Sequence, residues 1–262
     1  MDLEAFIGNC RRAKRLTKGA VDQIKYLYWL YASSLRLFRR QSLVIRFSLP
    51  PPVNNLTLTV RCNGGSDAFI FSEVFQHSYY KFHLEREPQS ILDAGGNIGL
   101  TAIYFSKAYP GAKIACVEPI PENLAILRQN VSINGADVEV FANALSISNR
   151  PIKMEYAGKD YGHRVRDDTS VSDFGSQELI VPGITVPTIM ERMGWRTIDL
   201  LKVDIEGYES MLLGSDCDWL DAVQALCIEL HEGFDEHQLR RVTTRHGLMR
   251  LNYLDGVWLA TR

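Results

Sequence analysis

The spacing of apolar residues divides the chain into three stretches. Residues 1–40 read as helical, with Arg11, Arg12, Lys14, Arg15 and Lys18 ahead of an aromatic-rich segment holding Tyr26, Tyr28, Trp29 and Tyr31. Short alternating runs follow at 43–47, 56–61 and 68–71, separated by Pro50-Pro51-Pro52 and Asn63-Gly64-Gly65. Alternation bounded by such breakers predicts strands and turns. Residues 1–85 are accordingly expected to form a small N-terminal appendage, helical first and β-rich after.

From Gln89 strands alternate with helices, and residues 86–262 are expected to form the main domain. Residues 91–92 end a short apolar strand, 98–109 form a helix stopped by Pro110-Gly111, and 113–117 a buried strand. A helix over 121–134 opens on Pro121, sets Leu124, Leu127 and Val131 on one face and stops before Gly135, with Pro and Gly in their usual terminal places. With a third strand over 138–141 the pattern is βαβαβ, which implies a parallel sheet with right-handed crossovers. Further on, 184–193 reads as a strand end and a helix, 198–203 and 225–230 as buried strands, and 208–213 and 236–246 as helices. Residues 248–253 and 257–260 form a hairpin turning at Asp255-Gly256. Between these, 157–178 holds Gly158, Gly162 and Gly175 among Ser and Asp residues and breaks every apolar period. A loop of that length suits a lid, and an insertion without a role is the competing reading.

Composition narrows the class. The chain has 262 residues, 46% hydrophobic and 23% charged, enough for a substantial core and too apolar for disorder. A formal net charge of −2 gives no whole-protein attraction to nucleic acid. The charge is uneven, since ten basic and three acidic residues leave +7 on residues 1–50 and −9 on the rest. A basic, aromatic N-terminal helix can lie on an anionic membrane or dock a partner; it can equally cap the main domain with a solvated face. The five cysteines include no CxxC pair, so neither a zinc cage nor a disulfide framework is indicated. The apolar run 26–38 is broken by Ser33, Ser34 and Arg36 and falls short of the roughly 20 residues of a bilayer span. A soluble cytoplasmic protein is the expectation.

Candidate chemistry begins at the glycine-rich turn Asp93-Ala94-Gly95-Gly96-Asn97-Ile98-Gly99, which runs from a strand into a helix. Open parallel sheets bind ligands there, outside the carboxyl ends of their strands. The spacing is not G-x-G-x-x-G, because Asn97 and Leu100, or Ile98 and Thr101, occupy the second and third glycine positions. A nicotinamide site is thereby disfavoured, and no P-loop is present. Glu118, at the end of the next strand, is placed to accept both hydroxyls of a ribose. Its competing reading is an acid facing the macrodipole of the helix that follows.

These residues resemble the class I S-adenosylmethionine-dependent methyltransferases and, within them, the FkbM family. The likeness spans about residues 68–232. It rests on Leu92-Asp93-Ala94-Gly95-Gly96-Asn97-Ile98-Gly99, on Val117-Glu118-Pro119 with Asn123 and Asn130, on the run from Asp199 through Lys202, Asp204, Glu206 and Gly207 to Glu209, and on Ile228-Glu229-Leu230-His231. The resemblance implies a Rossmann-like parallel sheet with an antiparallel C-terminal hairpin, and S-adenosylmethionine as cofactor. It implies that Asp93, Gly95, Gly96, Asn97 and Gly99 surround the methionyl part and adenosine, that Glu118 and Pro119 hold the ribose, and that Asn143 and Ala144 lie beside the adenine. It also implies a small-molecule or glycan hydroxyl as acceptor, on a sugar, glycolipid or secondary metabolite. An N-methyltransferase on the same fold and a non-catalytic binding protein are the rivals.

An aliphatic hydroxyl needs a general base, or a divalent metal ion, to attack at neutral pH. Asp204 and Glu206 end one apolar strand and His231 ends the next, at the same sheet edge as the turn. Either acid could be the base or a metal ligand, or both could be helix N-terminal acids. His231 has a side chain that titrates near neutrality and suits a proton acceptor, unless it is a solvated loop histidine. The run His231-Glu232-Gly233-Phe234-Asp235 is not H-E-x-x-H, which excludes a zincin site there. His163, His77, Tyr79 and Tyr80 are weaker candidates for lining the pocket.

Overall fold

The computed structural model describes residues 3–38, 41–77, 79–155, 164–165, 178–214, 216–254 and 256–262. Two helices open the chain, α1 (Leu3–Leu16) and α2 (Ala20–Ser34), followed by the antiparallel pair β1 (Ser42–Ser48) and β2 (Asn55–Arg61). Of the aromatic residues in α2, Tyr26 and Trp29 are fully buried while Tyr28 is half exposed. Trp29 packs edge-on against Phe71 at 5.7 Å and donates its Nε1–H to the Arg61 carbonyl at 3.1 Å. Those two aromatics therefore serve the core.

The strand expected at 68–71 is instead the helix α3 (Ser66–Ser72), continued by a π-helical turn, Glu73–His77. The apolar run does not alternate: it buries Ala68 and Phe71, three apart, and leaves Phe69 exposed, which is helical spacing. Asn63 Oδ1 accepts from the Asp67 N–H at 3.2 Å, and Asp67 in turn ion-pairs with Arg61 at 2.7 Å. The helix start is thus anchored to the end of β2.

The stretch from Ser90 to Phe141 follows its expected order. It contains β3 (Ser90–Ala94), α4 (Leu100–Ala108), β4 (Lys113–Val117), α5 (Pro121–Ile133) and β5 (Val138–Phe141). A smaller sheet of β6 (Ala144–Leu145), β7 (Pro151–Glu155), β8 (Arg164–Val165) and β9 (Glu178–Ile184) comes next, in the order β6-β9-β7-β8. Then come α6 (Val186–Met193), β10 (Leu200–Val203), α7 (Glu209–Gly214), β11 (Ala225–Ile228), α8 (Glu236–Arg245), β12 (Arg250–Leu254) and β13 (Val257–Thr261). Most of the 157–178 loop, with His163, lies outside the described residues; of the rest, Arg164–Val165 form β8 against β7.

The seven-stranded sheet has the order β12-β13-β11-β10-β3-β4-β5, parallel throughout except for β13, which runs antiparallel to both β11 and β12. It is the Rossmann-like sheet with an antiparallel C-terminal hairpin that the sequence predicts. Strands β3, β10 and β11 are buried along their whole length, which is why they read as continuous apolar runs. The chain leaves β3 for β4 on one side and later returns as β10 on the other, so the crevice between their ends is the topological switch point at which such sheets bind ligands.

The N-terminal segment is fastened onto this sheet by asparagines of α5. Asn130 Oδ1 accepts from the Thr59 N–H at 2.7 Å, while its Nδ2 donates to the carbonyls of Thr59 (3.0 Å) and Ile98 (2.9 Å). Asn134 does the same for Thr57, accepting at 3.1 Å and donating at 2.6 Å. Side-chain amides thus satisfy the free edge of β2 as a neighbouring strand would. One buried apolar cluster runs from Ala13 through Phe47, Phe71 and Phe105 to Leu259. Among the described residues no helix is long and apolar enough to cross a membrane.

Candidate active site

The glycine turn sits over the β3 end because two backbones come close there. Gly95 and Gly96 both donate their N–H to the Val117 carbonyl at 3.0 Å. Gly95 has φ +85°, and a Cβ on it would overlap the Asp204 carbonyl; a Cβ on Gly96 would overlap Cys116 Sγ. The glycines therefore answer first to packing between β4 and β10, a reason that stands beside approach to a ligand.

Beneath the turn lies an ion cluster. Lys202 Nζ is 3.3 Å from Asp93 Oδ1 and 3.4 Å from Asp204 Oδ2, and it donates to the Gly95 and Ala94 carbonyls at 2.8 and 3.3 Å. Burial alone would discharge this amine, but Asp93 and Asp204 hold its pKa well above the ordinary value. Asp93 is wholly buried and serves the lysine beneath the turn.

Glu118 closes the β4 side. Its Oε2 accepts from the Asn97 N–H at 2.8 Å, and its Oε1 from the Ile120 N–H at 2.9 Å and Asn123 Nδ2 at 3.1 Å. Asn123 is held in turn by Arg61 Nη1 at 2.8 Å, so the N-terminal segment steadies this carboxylate. Burial raises the Glu118 pKa to about 7, against the pull of those hydrogen bonds. Asn97, at φ +46°, has a buried Oδ1 with no hydrogen-bond partner among the described residues.

At the opposite lip the chain leaves β10 and turns at once, with Glu206 at φ +56° and Gly207 at +101°. The turn brings the two acids to His231. His231 Nε2 lies 3.9 Å from Asp204 Oδ1 and 3.6 Å from Glu206 Oε2, while its Nδ1 lies 3.0 Å from Glu209 Oε1. Glu209 is fully buried, and its Oε1 also accepts from the Ile205 N–H at 3.2 Å. Burial would lower the His231 pKa, but the Glu209 hydrogen bond and charge, with Asp204 and Glu206 behind, push it up to about 9. One ligand atom from each of Asp204, Glu206 and His231 lies within 4.8 Å of the others, a grouping that could hold a metal ion.

One cleft connects these parts. Of the residues singled out in the sequence, it is lined by Gly95, Gly96, Asn97, Glu118, Pro119, Ala144, Asp204, Glu206 and His231. Asp93, Gly99 and Asn143 are not on its wall; Asn143 faces a separate depression near Arg192 and donates to the Gly183 carbonyl at 3.3 Å. Tyr80 lines the cleft, whereas His77 and Tyr79 do not. Three carboxyl groups escaped the sequence reading as site residues. Glu209 and Glu229 stood inside the family motifs without an assigned role, and Glu73 carried no sequence signal because tertiary packing brings it in.

The cleft fits a cofactor with a ribose diol and an amine. Three bonds from the chain use three of the roughly four lone-pair sites of Glu118, leaving one on Oε2 for a ribose hydroxyl, and Asn97 Oδ1, unpaired among the described residues, calls for a donor.

A family described as the Methyltransferase FkbM domain matches residues 93–253. Methyltransferase sdnD of Sordaria araneosa is 31% identical over 194 residues, covering 63% of this chain and 74% of that protein. The 31-O-demethyl-FK506 methyltransferase FkbM of Streptomyces tacrolimicus is 23% identical over 201 residues, covering 65% of this chain and 76% of that one. Among solved structures, methyltransferase FkbM from Methylobacillus flagellatus KT aligns over 98% of this chain and 58% of that chain, with a TM-score of 0.46 and 14% identity.

Proposed function

The chain belongs to the FkbM methyltransferase family, and from that premise we propose that it methylates a hydroxyl oxygen of a sugar, glycolipid or secondary metabolite, with His231 as general base. The observation that carries this reading is the 3.0 Å contact between His231 Nδ1 and the buried Glu209 carboxylate. A hydrogen bond at Nδ1 fixes the ring and leaves Nε2 directed at Asp204 and Glu206, on the cleft side.

S-adenosylmethionine, when bound, supplies a methyl group activated by the sulfonium. Glu118 would hold its ribose, Asn97 and Asp204 its amine, and Pro119, Ile120 and Ala144 would face the base. On the acceptor side, His231 Nε2 takes the hydroxyl proton as the oxygen attacks, and Glu209 balances the imidazolium that results. The acidic pair keeps the ring turned toward the acceptor. The 31-O-demethyl prefix in a relative's name supports an oxygen acceptor.

A second reading uses the same side chains as ligands. Asp204, Glu206 and His231 Nε2 could hold a divalent cation, with Glu209 orienting the imidazole from behind. Nε2 could not then accept the proton. Turnover after exhaustive chelation, with and without added Mn²⁺, separates the two.

The reading as a whole is tested by titrating the protein calorimetrically with S-adenosylmethionine and its demethylated product. Cell extract is then incubated with labelled donor, and the tagged compound identified by mass spectrometry. Binding and a new O-methyl product are expected. Absence of binding to either nucleoside would end the enzyme reading, and a tagged amine would replace it with N-methylation.

A further inference from the structure

Part of the cleft lining comes from outside the sheet. Phe69 and Ile70 of α3, Glu73 and Val74 of the π-helical turn, and Tyr80 line it together with Glu229 at the end of β11. A single widened π turn inside a helix commonly marks a functional position. Here the turn buries Val74, packs Phe75 in a tilted arrangement against Phe71 at 4.9 Å, and leaves the Glu73 carboxyl on the cleft. Among the described residues neither Glu73 nor Glu229 receives a side-chain hydrogen bond or ion pair. Two polar groups are thus held half-buried in the cleft without side-chain partners among the described residues.

The charges around them restrict what can enter. Glu73, Glu229, Asp204 and Glu206 all face the cleft, and Lys202, the one lysine or arginine among its described lining residues, is already held by Asp93, Asp204 and two carbonyls. A phosphate or carboxylate brought here would meet four acidic side chains, and the cationic groups on the lining, Lys202 and the His231 imidazolium, are already paired with acids of the chain. Hydroxyl groups, by contrast, can donate to every one of these oxygens.

We propose that Glu73 and Glu229 determine acceptor specificity: they hydrogen-bond the hydroxyls flanking the one that is methylated, so the acceptor is a neutral polyhydroxylated ring and its phosphorylated or carboxylated counterparts are refused. The inference rests on the methyltransferase reading above. Burial, reinforced by neighbouring acids, raises the pKa of Glu73 to about 7. Near neutral pH that carboxyl is about half protonated, so it can donate as well as accept. The wall then acts as a hydrogen-bonding surface more than as a trap for cations.

The test uses the full chain and a panel of methyl hexopyranosides and deoxyhexopyranosides, their 6-phosphates and uronic acids, and 2-amino-2-deoxy sugars. Formation of demethylated cofactor and methylated sugar is measured for each, and binding to the protein loaded with demethylated cofactor is followed by saturation-transfer NMR. Neutral members are expected to bind and react, with kcat/KM at least 100-fold above their anionic counterparts. Glu73→Ala should raise KM for a neutral acceptor at least 10-fold with a smaller change in kcat and an unchanged affinity for S-adenosylmethionine. Glu73→Gln should restore part of the loss, and Glu73→Arg should narrow the discrimination against the 6-phosphate. Should a Glu73 variant fail to fold, Glu229→Gln provides the same KM readout. Equal or better use of anionic or amino sugars would overturn the inference, as would failure of every neutral member to bind. If the wild type does not bind S-adenosylmethionine at all, the underlying reading fails instead.

Discussion

Glu209 makes His231 a base of unusual strength. Because the folded-state pKa is raised from 6.5 to about 9, the imidazole is protonated at pH 7 and becomes competent only as the pH climbs. The rate of methyl transfer should therefore increase with pH up to about 9. Glu209→Gln removes the charge that raises the pKa, so the rise should move to lower pH while maximal turnover drops. His231→Ala should cost ~10²–10⁴ in kcat, the usual worth of a general base, with cofactor affinity nearly unchanged. A pH profile that keeps its position in Glu209→Gln would show that another group titrates. Glu118→Ala acts on the other half of the reaction. It removes the proposed ribose acceptor and the partner of the Asn97 and Ile120 N–H groups, each such hydrogen bond being worth about 0.5–1.5 kcal/mol, more to a charged carboxylate. Calorimetry should give a Kd for S-adenosylmethionine at least 10-fold weaker.

Among the secondary-structure elements, strands and helices with an uninterrupted pattern were legible. The strands over 113–117 and 138–141 fall where alternation and burial put them, and Pro121 opens its helix as expected. Misreading came at 68–71, where a short apolar run has no period long enough to separate strand from helix. The tie that decides it, Asp67 to Arg61 and Asn63, involves polar residues outside the run. Asn130 gives an element-scale prediction. Replacing it by Ala leaves the Thr59 N–H and the Thr59 and Ile98 carbonyls without their buried partner, at about 1–3 kcal/mol for each unsatisfied group. The denaturant midpoint should fall well beyond what an exposed Asn→Ala change produces, and cofactor affinity should weaken as well, because Ile98 belongs to the glycine turn. A midpoint shift no larger than the surface control would refute the strand-mimic role.

At the scale of the whole molecule, the buried cluster that runs from Ala13 to Leu259 joins the N-terminal segment to the sheet. The segment also supplies Arg61, which steadies Asn123 and through it Glu118, as well as Glu73 and Tyr80 on the cleft wall. Removing residues 1–85 would expose the apolar faces of α4 and α5 and open one side of the cleft. The truncated chain is expected to lose cooperative thermal unfolding and cofactor binding together. A shortened protein that melted sharply and bound S-adenosylmethionine normally would show that the segment is an independent appendage. The same tertiary joining explains what sequence reading could and could not reach. The buried strands, the glycine turn and the order of acids and histidine at strand ends follow from local pattern, since burial on both faces of a parallel sheet enforces apolar runs and a tight turn between strands enforces glycine. Which carboxyl faces which atom does not: Asp93 turned to Lys202, Glu209 to His231 Nδ1, and Glu73 to a cleft it shares with Asp204, Glu206 and Glu229, more than a hundred residues further along the chain. Those choices are made by long-range packing and by electrostatic competition for one buried lysine and one imidazole, and no local period in the chain encodes them.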